Sequence, residues 1–461
     1  MTDQDANSPS LHAFSTWEPL LRLLRERFTP EPGGAAEYAS GRIARGGWSL
    51  PSRTRGRRPT EAIDAEVAAL EPVHGALAAA GVEDVTFTAK LAASGPVTVR
   101  VMGQSPAVES GLGAQPGALL LVEGAVPEPW RRLPEPPGPD AGPAPSADPA
   151  LLERTLRERI PASAVGATDA EIAETEERLG IALPEELKAL YRVTRGRWQD
   201  WGEDAEAAEA AYTALRCELF PLTEVYVADT ASRPTLWRFG AMEAVVTTPE
   251  DAVQGLVGSP GWIVFADNGG GDRIAVDLTP GPRGHVGQIV MLSHEYDIGA
   301  ELIADSLTDL ILGRESEPSG GGPAPDGPAA VAHVNRRSLP SVAAAAHPDL
   351  EVLSIGVWDA APLSLAPVLD LPRLRTLTAY PGTLADPLEI AELKGLEYLE
   401  LAPEDWRTLL DAGAVPRSLS AAGITTRGAQ SPTSTVTLAN EILALWGRPP
   451  IVQVVLEGEL E

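Results

Sequence analysis

Two segments rich in proline and glycine divide this chain of 461 residues. The first, LPEPPGPDAGPAPSADPA, covers residues 133–150, and the second, EPSGGGPAPDGPAA, covers residues 317–330. Proline removes backbone hydrogen-bond donors, glycine adds chain entropy, and neither segment has enough apolar residues to offset the cost of ordering. Because the chain is as long as about three domains of ~150 residues, we interpret both segments as linkers.

Around these linkers, the sequence predicts an α+β multidomain protein. The N-terminal piece has two stretches with apolar residues at helical spacing, TWEPLLRLLRERF and TEAIDAEVAALEPVHGALAAAG, followed by the alternating strand patterns VTFTAKL and VTVRVMG. We interpret it as a small α+β domain of unknown role. The predicted division is a domain at 1–132, a linker at 133–150, a domain at 151–315, a linker at 316–330 and a domain at 331–461.

The charge of the chain constrains its partners. With 36 Lys and Arg residues against 65 Asp and Glu residues, the formal net charge is −29 at pH 7, which disfavours nucleic acids and anionic membranes and favours basic proteins. No apolar run reaches the ~18 residues of a membrane span, and the N-terminus has no signal-peptide pattern, so we expect a cytoplasmic protein. Abundant glycine and proline with little lysine indicate a bacterial source of high GC content. The only cysteine, Cys217, excludes an intramolecular disulfide, and we expect it to be a small buried residue.

One stretch, RIARGGWSLPSRTRGRRP, departs from this acidity because it is rich in arginine. Two interpretations stay open: a solvated basic loop that contacts acidic surfaces of its own chain, or a site for phosphate or nucleic acid. Its arginines are Arg42, Arg45, Arg53, Arg55, Arg57 and Arg58.

The middle domain opens with two consecutive helices, in TDAEIAETEERLGIALPEELKALYRVTRG. Thr168 and Glu171 have the spacing of a capping box, and Gly180 suits the left-handed position after the last turn. Pro184 then suits the first position of the second helix. Downstream, CELFPLTEVY, WIVFA, RIAVDL and HVGQIVMLSHE predict a meander of antiparallel strands, and GAELIADSLTDLILGR predicts a closing helix.

In this order, the motifs LGIALPEELKALYRVTRG, ELFPLTEV, WIVFADNGGGDRIAVDL and GQIVMLSHE resemble the SUKH superfamily over residues 168–314. That superfamily includes fungal cell-wall assembly regulators and bacterial immunity proteins of polymorphic toxin systems. One departure is Arg195 followed by Gly196, where such proteins often have Asn-Gly. The resemblance implies a non-catalytic α+β binding domain, in which helices flank an antiparallel sheet.

The stretch WIVFADNGGGDRIAVDL places aspartates around three consecutive glycines. It lacks the Gly-Lys-Ser/Thr sequence of a phosphate-binding loop, and its spacing does not supply the ligands of an EF-hand. We favour a strand-to-strand turn whose glycines adopt positive φ. One alternative is an acid–base or metal-dependent site made of Asp267, Asp272 and Asp277. Another is partner contact through Asp267, Asn268 and Asp272.

The segment RWQDWGEDAEAAEAAY combines tryptophans with carboxylates and has no Lys or Arg after Arg197. Its tryptophans are either core anchors or hot spots of an interface, and its charge would steer a basic partner. The predicted partner-binding residues of this segment are Trp198, Asp200, Trp201, Glu203, Asp204 and Glu206.

The C-terminal domain contains an internal repeat. LEVLSI, LRTLTA and LEYLEL align on Leu350, Leu374 and Leu396. The pattern resembles a leucine-rich repeat, in which each unit adds one short strand and the leucines stack into a core. This short α/β array would either bind a partner through its strand face or be an inert stack that covers another domain. The predicted repeat-face residues are Ser354, Trp358, Thr378, Tyr380 and Glu400.

Together, these patterns predict a non-catalytic protein-binding module of immunity or regulatory type. We expect it to bind a basic protein, either a toxin or a regulatory target, without a cofactor or a metal. The competing hypothesis is a hydrolytic or metal-dependent enzyme that uses the three loop aspartates. The sequence has no recognisable nucleophile, metal-ligand spacing or cofactor fingerprint, which favours binding.

Overall fold

The computed structural model describes residues 10–28, 37–51, 60–92, 95–102, 105, 107–109, 118–138, 141–196, 204–314, 330–425 and 432–460. The chain forms two compact units. The first unit comprises Met1–Ala125 together with Ala332–Glu461, and the second comprises Val126–Val331.

The first unit contains an antiparallel sheet of five strands covered by two helices. Trp17 and Leu70 of the helices and Phe87 and Val99 of the sheet are fully buried in one core, as their apolar spacing predicts. In sheet order, the strands are β18 (Gln453–Glu459), β4 (Pro96–Met102), β3 (Asp84–Leu91), β1 (Glu37–Ala44) and β2 (Gly47–Ser49), and the helices are α1 (Phe14–Arg27) and α2 (Thr60–Ala80).

The same unit contains a sheet of seven strands, four of which run parallel to one another. Leu353, Leu377 and Leu399 are partners across three of these strands and are fully buried. This stacking agrees with the predicted α/β array, whereas the assignment to leucine-rich repeats stays a prediction. In sheet order, the strands are β13 (Val331–Val334), β14 (Val352–Ile355), β15 (Thr376–Ala379), β16 (Tyr398–Leu401), β17 (Ala421–Thr425), β6 (Ala118–Val122) and β5 (Val108–Glu109), with helices α9 (Val342–Ala345), α10 (Pro403–Asp411) and α11 (Pro432–Leu445).

The two ends of the chain are joined by strand pairing, which differs from the predicted division into separate domains at 1–132 and 331–461. Strand β6 pairs antiparallel with β17, and β18 pairs antiparallel with β4 over seven residue pairs. Backbone hydrogen bonds between strands far apart in sequence leave no mark on local composition. The sequence patterns predicted β3 and β4 but neither β1 nor β18, and they did not indicate which strands pair.

Parts of the predicted linker at 133–150 are hydrogen-bonded to the rest of the second unit. Glu135 and Gln254 exchange hydrogen bonds, from Glu135 N to Oε1 at 2.8 Å and from Nε2 to Glu135 O at 2.9 Å. Asp148 caps the first helix of the unit by accepting hydrogen bonds from the amides of residues 150 and 151. Partners elsewhere in the fold satisfy this proline-rich backbone. Residues 315–329, which include nearly all of the other predicted linker, lie outside the described residues.

The second unit has an antiparallel sheet in the order β12-β11-β10-β9-β7, with β8 paired to β9. These strands are β7 (Glu218–Leu219), β8 (Tyr226–Val227), β9 (Trp262–Asp267), β10 (Arg273–Asp277), β11 (Gln288–Leu292) and β12 (Glu301–Ala304). The helices are α3 (Pro149–Arg159), α4 (Asp169–Leu179), α5 (Glu185–Val193), α6 (Ala205–Leu215), α7 (Trp237–Gly240) and α8 (Leu307–Leu312).

Local signals predicted the ends of the first helices well and those of the last helix poorly. The capping box of Thr168 and Glu171 is present, and Gly180 follows α4 with φ of 67°. Pro184 is the N-cap of α5, one position earlier than predicted. The predicted closing helix is wrong in its first half, because β12 occupies residues 301–304 and Ser306 caps the short α8 by accepting a hydrogen bond from Asp309 N.

Both faces of the second unit's sheet are covered. Phe265 and Val276 belong to the core shared with the helices, whereas Trp262 and Val264 belong to a second apolar core on the other face. Residues alternate between the two faces of a strand, so β9 is apolar along most of its length. Because both faces of the sheet are covered, WIVFA is apolar at successive positions. Side chains on either face of β9 are therefore buried.

Candidate functional site

The glycine loop, residues 267–272, connects β9 to β10, and its polar groups are used within the loop. Asp267 Oδ1 accepts a hydrogen bond from Gly269 N at 2.8 Å, and Asn268 Oδ1 accepts one from Gly270 N at 2.8 Å. Gly269 and Gly271 have φ of 75° and 106°. These positive angles favour glycine, and the loop has the geometry expected of a turn.

The two aspartates at the ends of this loop have separate partners. Asp267 Oδ2 accepts a hydrogen bond from Arg273 at 2.8 Å. Asp272 Oδ1 accepts one from His294 N at 3.0 Å and lies 2.7 Å from His294 Nδ1, while Asn268 Nδ2 donates to Asp272 Oδ2 at 2.8 Å. The backbone and side-chain hydrogen bonds of His294 lower the pKa of Asp272, because they stabilise the carboxylate.

Asp277 lies at the opposite end of β10, so the three aspartates do not form one cluster. It pairs with Trp262, whereas Arg273 at the loop end pairs with Asp267. Asp277 is fully buried, and its carboxylate accepts hydrogen bonds from Thr279 N at 2.8 Å and Gln288 Nε2 at 2.9 Å. Burial raises its pKa to about 6, and the hydrogen bonds from Gln288 and Thr279 oppose that rise.

Within the described residues, no three His, Cys, Asp or Glu side chains are grouped so that they could hold a metal ion. The predicted enzyme site therefore has no geometric counterpart in that part of the chain. Each of the three aspartates instead accepts hydrogen bonds from backbone amides of its own unit.

The predicted acidic segment is described only from Asp204 onward; Trp198, Asp200, Trp201 and Glu203 lie outside the described residues. Asp204 is the N-cap of α6 and accepts a hydrogen bond from Ala207 N at 3.0 Å. Glu206 and Glu209 are exposed on α6. This helix presents carboxylates to solvent, as the charge pattern predicts.

Beside α6 lies a cavity of about 590 Å³, which we call the α6 cavity. Sequence reasoning did not find it, because it forms where the residues after α5, one side of α6 and strand β7 come together. Its described lining residues are Thr194, Gly196, Ala208, Glu209, Ala211, Tyr212, Leu215, Cys217, Glu218 and Leu219.

The α6 cavity adjoins the glycine loop. Glu218 of β7 pairs with Asp267, and a Cβ placed on Gly269 would lie 3.2 Å from Glu218 Oε1. The thiol of Cys217 is buried, and burial raises its pKa to about 12, with the charges of Asp267 and Glu218 adding to the rise. The thiol is therefore protonated at neutral pH, which agrees with the expected small buried residue. The glycine loop and α6 are separated in sequence, and both lie next to Glu218.

The predicted repeat-face residues line up in the first unit. Ser354, Thr378 and Glu400 are successive partners across the parallel strands. Thr378 Oγ1 donates to Ser354 Oγ at 3.0 Å, and Tyr398 Oη donates to Glu400 at 2.8 Å. At the ends of the strands, Trp358 and Tyr380 are partly buried, and Trp358 Nε1 donates to Ala361 O at 2.9 Å. Several of these groups satisfy one another, so the row is a structural feature whose binding role stays a prediction.

Two further predictions meet the structure only in part. Of the arginine-rich stretch, Arg42 pairs with Asp84 and Arg45 with Glu83, so these two arginines contact acidic groups of their own chain. The start of the stretch is not a loop, because Arg42 belongs to β1. Arg53, Arg55, Arg57 and Arg58 lie outside the described residues.

Among the helices that the structure describes, none has the length and hydropathy of a membrane span.

Comparison with known proteins identifies one part of the chain. The sequence model of the SMI1 / KNR4 family (SUKH-1) matches residues 166–313. The chain is 24% identical over 182 residues to a glucan synthesis regulatory protein of Neurospora crassa, covering 32% of this chain and 34% of that protein. It is 31% identical over 154 residues to the cell wall biosynthesis/cell cycle regulator smi1 of Schizosaccharomyces pombe, covering 32% and 30%. A KNR4/SMI1 homolog of Yarrowia lipolytica is 45% identical over 51 residues, covering 11% and 7%.

The chain therefore spans about a third or less of the length of these relatives. The matched residues coincide with the stretch at 168–314 that resembles the SUKH superfamily, and this prediction is confirmed. The relatives are fungal, and the bacterial source expected for this chain stays a prediction.

Proposed function

Residues 166–313 are a SMI1/KNR4 (SUKH) family domain, and we propose that this domain is a non-catalytic regulatory module that binds a basic protein through an acidic surface. The observation that carries the proposal is the match to proteins named as regulators of glucan synthesis and of cell wall biosynthesis. The names of these relatives favour a regulatory role over the immunity role that the superfamily also includes. A gene for a large secreted toxin next to the gene of this chain would favour immunity instead.

The bonding of the loop aspartates supports a non-catalytic role. A general acid or base must be able to reach a substrate proton. Asp267 and Asp272 are engaged by Arg273 and His294, and Asp277 is fully buried at the far end of its strand. These contacts favour binding over the hydrolytic or metal-dependent enzyme that the aspartates alone would suggest.

The charge of α6 supports an acidic binding surface. Asp204, Glu206 and Glu209 are exposed there, on a chain with a net charge of −29. Charge of one sign on a surface increases the rate at which an oppositely charged partner associates, and salt screens this effect. Trp198 or Trp201 would supply the buried anchor that charge alone does not provide.

The test uses the full chain and a protein that co-purifies with it from the source cells, after both have been purified and recombined. A variant with Glu203→Lys, Asp204→Asn and Glu206→Lys reverses or removes three charges, and it keeps the helix cap because asparagine caps helices about as well as aspartate. We expect association to slow by about tenfold and to depend less on salt. Trp201→Ala should mainly accelerate dissociation. Stopped-flow or surface-plasmon measurements separate the two rates.

The matched control is Glu61→Lys with Asp64→Lys and Glu71→Gln, which changes the net charge by the same amount at three residues that are exposed on α2 of the other unit. Equal slowing by this control would mean that net charge, and not the surface of α6, steers association. The proposal fails if neither variant of the acidic segment alters either rate by more than about twofold, which corresponds to roughly 0.4 kcal/mol.

A further inference from the structure

We infer that the α6 cavity is the docking site for a basic peptide segment of the partner, which inserts one apolar side chain into the cavity and places flanking Arg or Lys side chains at its rim. This inference rests on the proposed function and adds the site and the chemistry of the partner. Its carrying observation is the combination of an apolar floor with two exposed carboxylates that pair with no other described residue.

The floor of the cavity is apolar. Ala208, Ala211, Leu215, Cys217 and Leu219 line it, and each is buried. Ala208 lines the cavity and is not part of the core that the helices share with the sheet. Apolar surface of this kind gains free energy when an apolar side chain replaces water. A partner segment with only charged side chains would leave the apolar floor in contact with water.

The rim of the cavity is acidic. Glu209 of α6 and Glu218 of β7 are exposed, and neither has a hydrogen bond or an ion pair with another described residue. Nearby Asp267 differs from them because Arg273 pairs with it at 2.8 Å. Among the described lining residues, the negative charge available to a partner is therefore that of Glu209 and Glu218.

Two described arginines near the lining residues in sequence have contacts away from the rim. Arg195 Nη1 lies 3.7 Å from Glu171 Oε1, and Arg216 Nη1 lies 3.0 Å from the position of a Cβ on Gly313, at the end of α8. Arginine or lysine from a partner would therefore meet carboxylates that neither of these two arginines neutralises. Charge complementarity of this kind provides specificity and fast association.

The mouth of the cavity carries an exposed aromatic ring. Tyr212 lines the cavity and is 44% exposed, on the same helix as Glu209. Tyrosine is enriched among residues that dominate binding, and its ring attracts a guanidinium placed over its face. A peptide with arginine next to an apolar residue would use the floor, the rim and this ring together.

The experiment titrates the full chain with three capped fluorescent peptides: Arg-Arg-Leu-Arg-Arg, Arg-Arg-Ser-Arg-Arg and Ser-Ser-Leu-Ser-Ser. At ~0.15 M salt, where exposed charges more than ~8 Å apart are largely screened, we expect the first peptide to bind at least about tenfold more tightly than either of the others. A photoreactive phenylalanine in place of leucine should crosslink to residues 204–219, as mapped by mass spectrometry.

Three variants identify the site. Glu209→Lys with Glu218→Lys should weaken binding of the first peptide by about tenfold or more, and Ala208→Leu, which fills the floor, should weaken it by a similar factor. Glu174→Lys with Glu177→Lys is the matched control, because both residues are exposed carboxylates on α4 of the same unit and neither lines the cavity. It should change the affinity by less than about twofold. Thermal unfolding of each variant verifies that the fold is intact. If Ala208→Leu does not fold, the glutamate variants still test the site, because both glutamates are exposed.

Two outcomes with the peptides overturn the inference. One is equal binding of the three peptides, or crosslinks outside residues 204–219. The other is binding of the first peptide only to a Trp198→Ala, Trp201→Ala variant, which would identify the chain's own tryptophan segment as the occupant. If the purified partner responds to charge at residues 203–206 but not to Ala208→Leu, the cavity inference fails while the proposed function stands.

Discussion

Asp272 and Asp277 stand at opposite ends of β10, and their carboxyl groups have pKa shifts of opposite sign. At the loop end, Asp272 is partly exposed, and the hydrogen bonds from His294 hold its pKa below the ordinary value. At the other end, Asp277 is fully buried, and burial raises its pKa to about 6. Two aspartates of the same hairpin therefore have pKa values shifted in opposite directions by different surroundings.

The difference teaches that burial and donor geometry, and not the presence of carboxylates in a motif, decide what this hairpin can do. Asp277 accepts hydrogen bonds from Gln288 and Thr279, yet the loss of water outweighs them. Asp272 loses little water, so its hydrogen bonds dominate. A perturbed pKa at Asp277 therefore reports a buried structural group, although perturbed carboxyls often indicate active sites.

The largest expected effect is a pH dependence that comes from Asp277. Its folded-state pKa of about 6 exceeds the unfolded value of 3.8, so between these values the folded state binds more protons. Its contribution to stability is then greatest at low pH, falls as the pH rises from about 4 to about 6, and is constant above that. At ~1.4 kcal/mol per pKa unit, the total change is at most about 3 kcal/mol.

The measurement compares urea unfolding of the wild type with that of Asp277→Asn from pH 4 to pH 7. Asparagine cannot ionise, so the stability of the wild type minus that of the variant should decrease as the pH rises. Hydrogen exchange of residues 262–292 assigns the change to this sheet. A difference that stays constant or increases with pH would show that Asp277 ionises in the folded protein as readily as in the unfolded one.

A smaller effect is expected from the backbone of the loop. Gly271 has φ of 106°, and a Cβ there would lie 3.4 Å from His294 Nδ1. Because L-residues avoid this region, Gly271→Ala should cost about 1–2 kcal/mol. Gly270→Ala is the control for backbone strain, since Gly270 is not among the glycines with positive φ, and a Cβ there would lie 3.2 Å from Asn268 Oδ1. Chemical denaturation measures both, and an equal cost for the two variants would mean that backbone strain does not determine the loop.

The sequence predicted the features that depend on neighbouring residues. The capping box of Thr168 and the positive φ of the loop glycines follow from local backbone chemistry, and both are present. The closing helix was predicted too long because residues 301–304 have helical spacing but pair with β11. Tertiary pairing overrides local preference at such positions.

The candidate site was less predictable, because it combines residues from three elements. Glu218 stands in a strand motif, and nothing around it in sequence shows that α6 and Gly269 lie beside it. The burial of Asp277 also depends on partners, since Gln254 and Gln288, far along the chain, belong to the same buried polar region. Spacing in sequence made the three aspartates look like a cluster, whereas the length of β10 separates them.

The smallest effect is expected at the loop end of β10, from Asp272→Asn. Asparagine still accepts one hydrogen bond from His294, but it loses the charge and places an amide opposite Asn268 Nδ2. Because the group is partly exposed, the cost should be below about 1 kcal/mol at pH 7. The pKa of Asp272 is lowered, so this stabilisation is present above pH 3.8 and is lost as the pH falls further, opposite in sign to Asp277. A double-mutant cycle with His294→Ala isolates the pair. A divalent ion that co-purifies with the native chain and is lost in Asp272→Asn would contradict the structural role of the loop and restore a metal-dependent interpretation of its carboxylates.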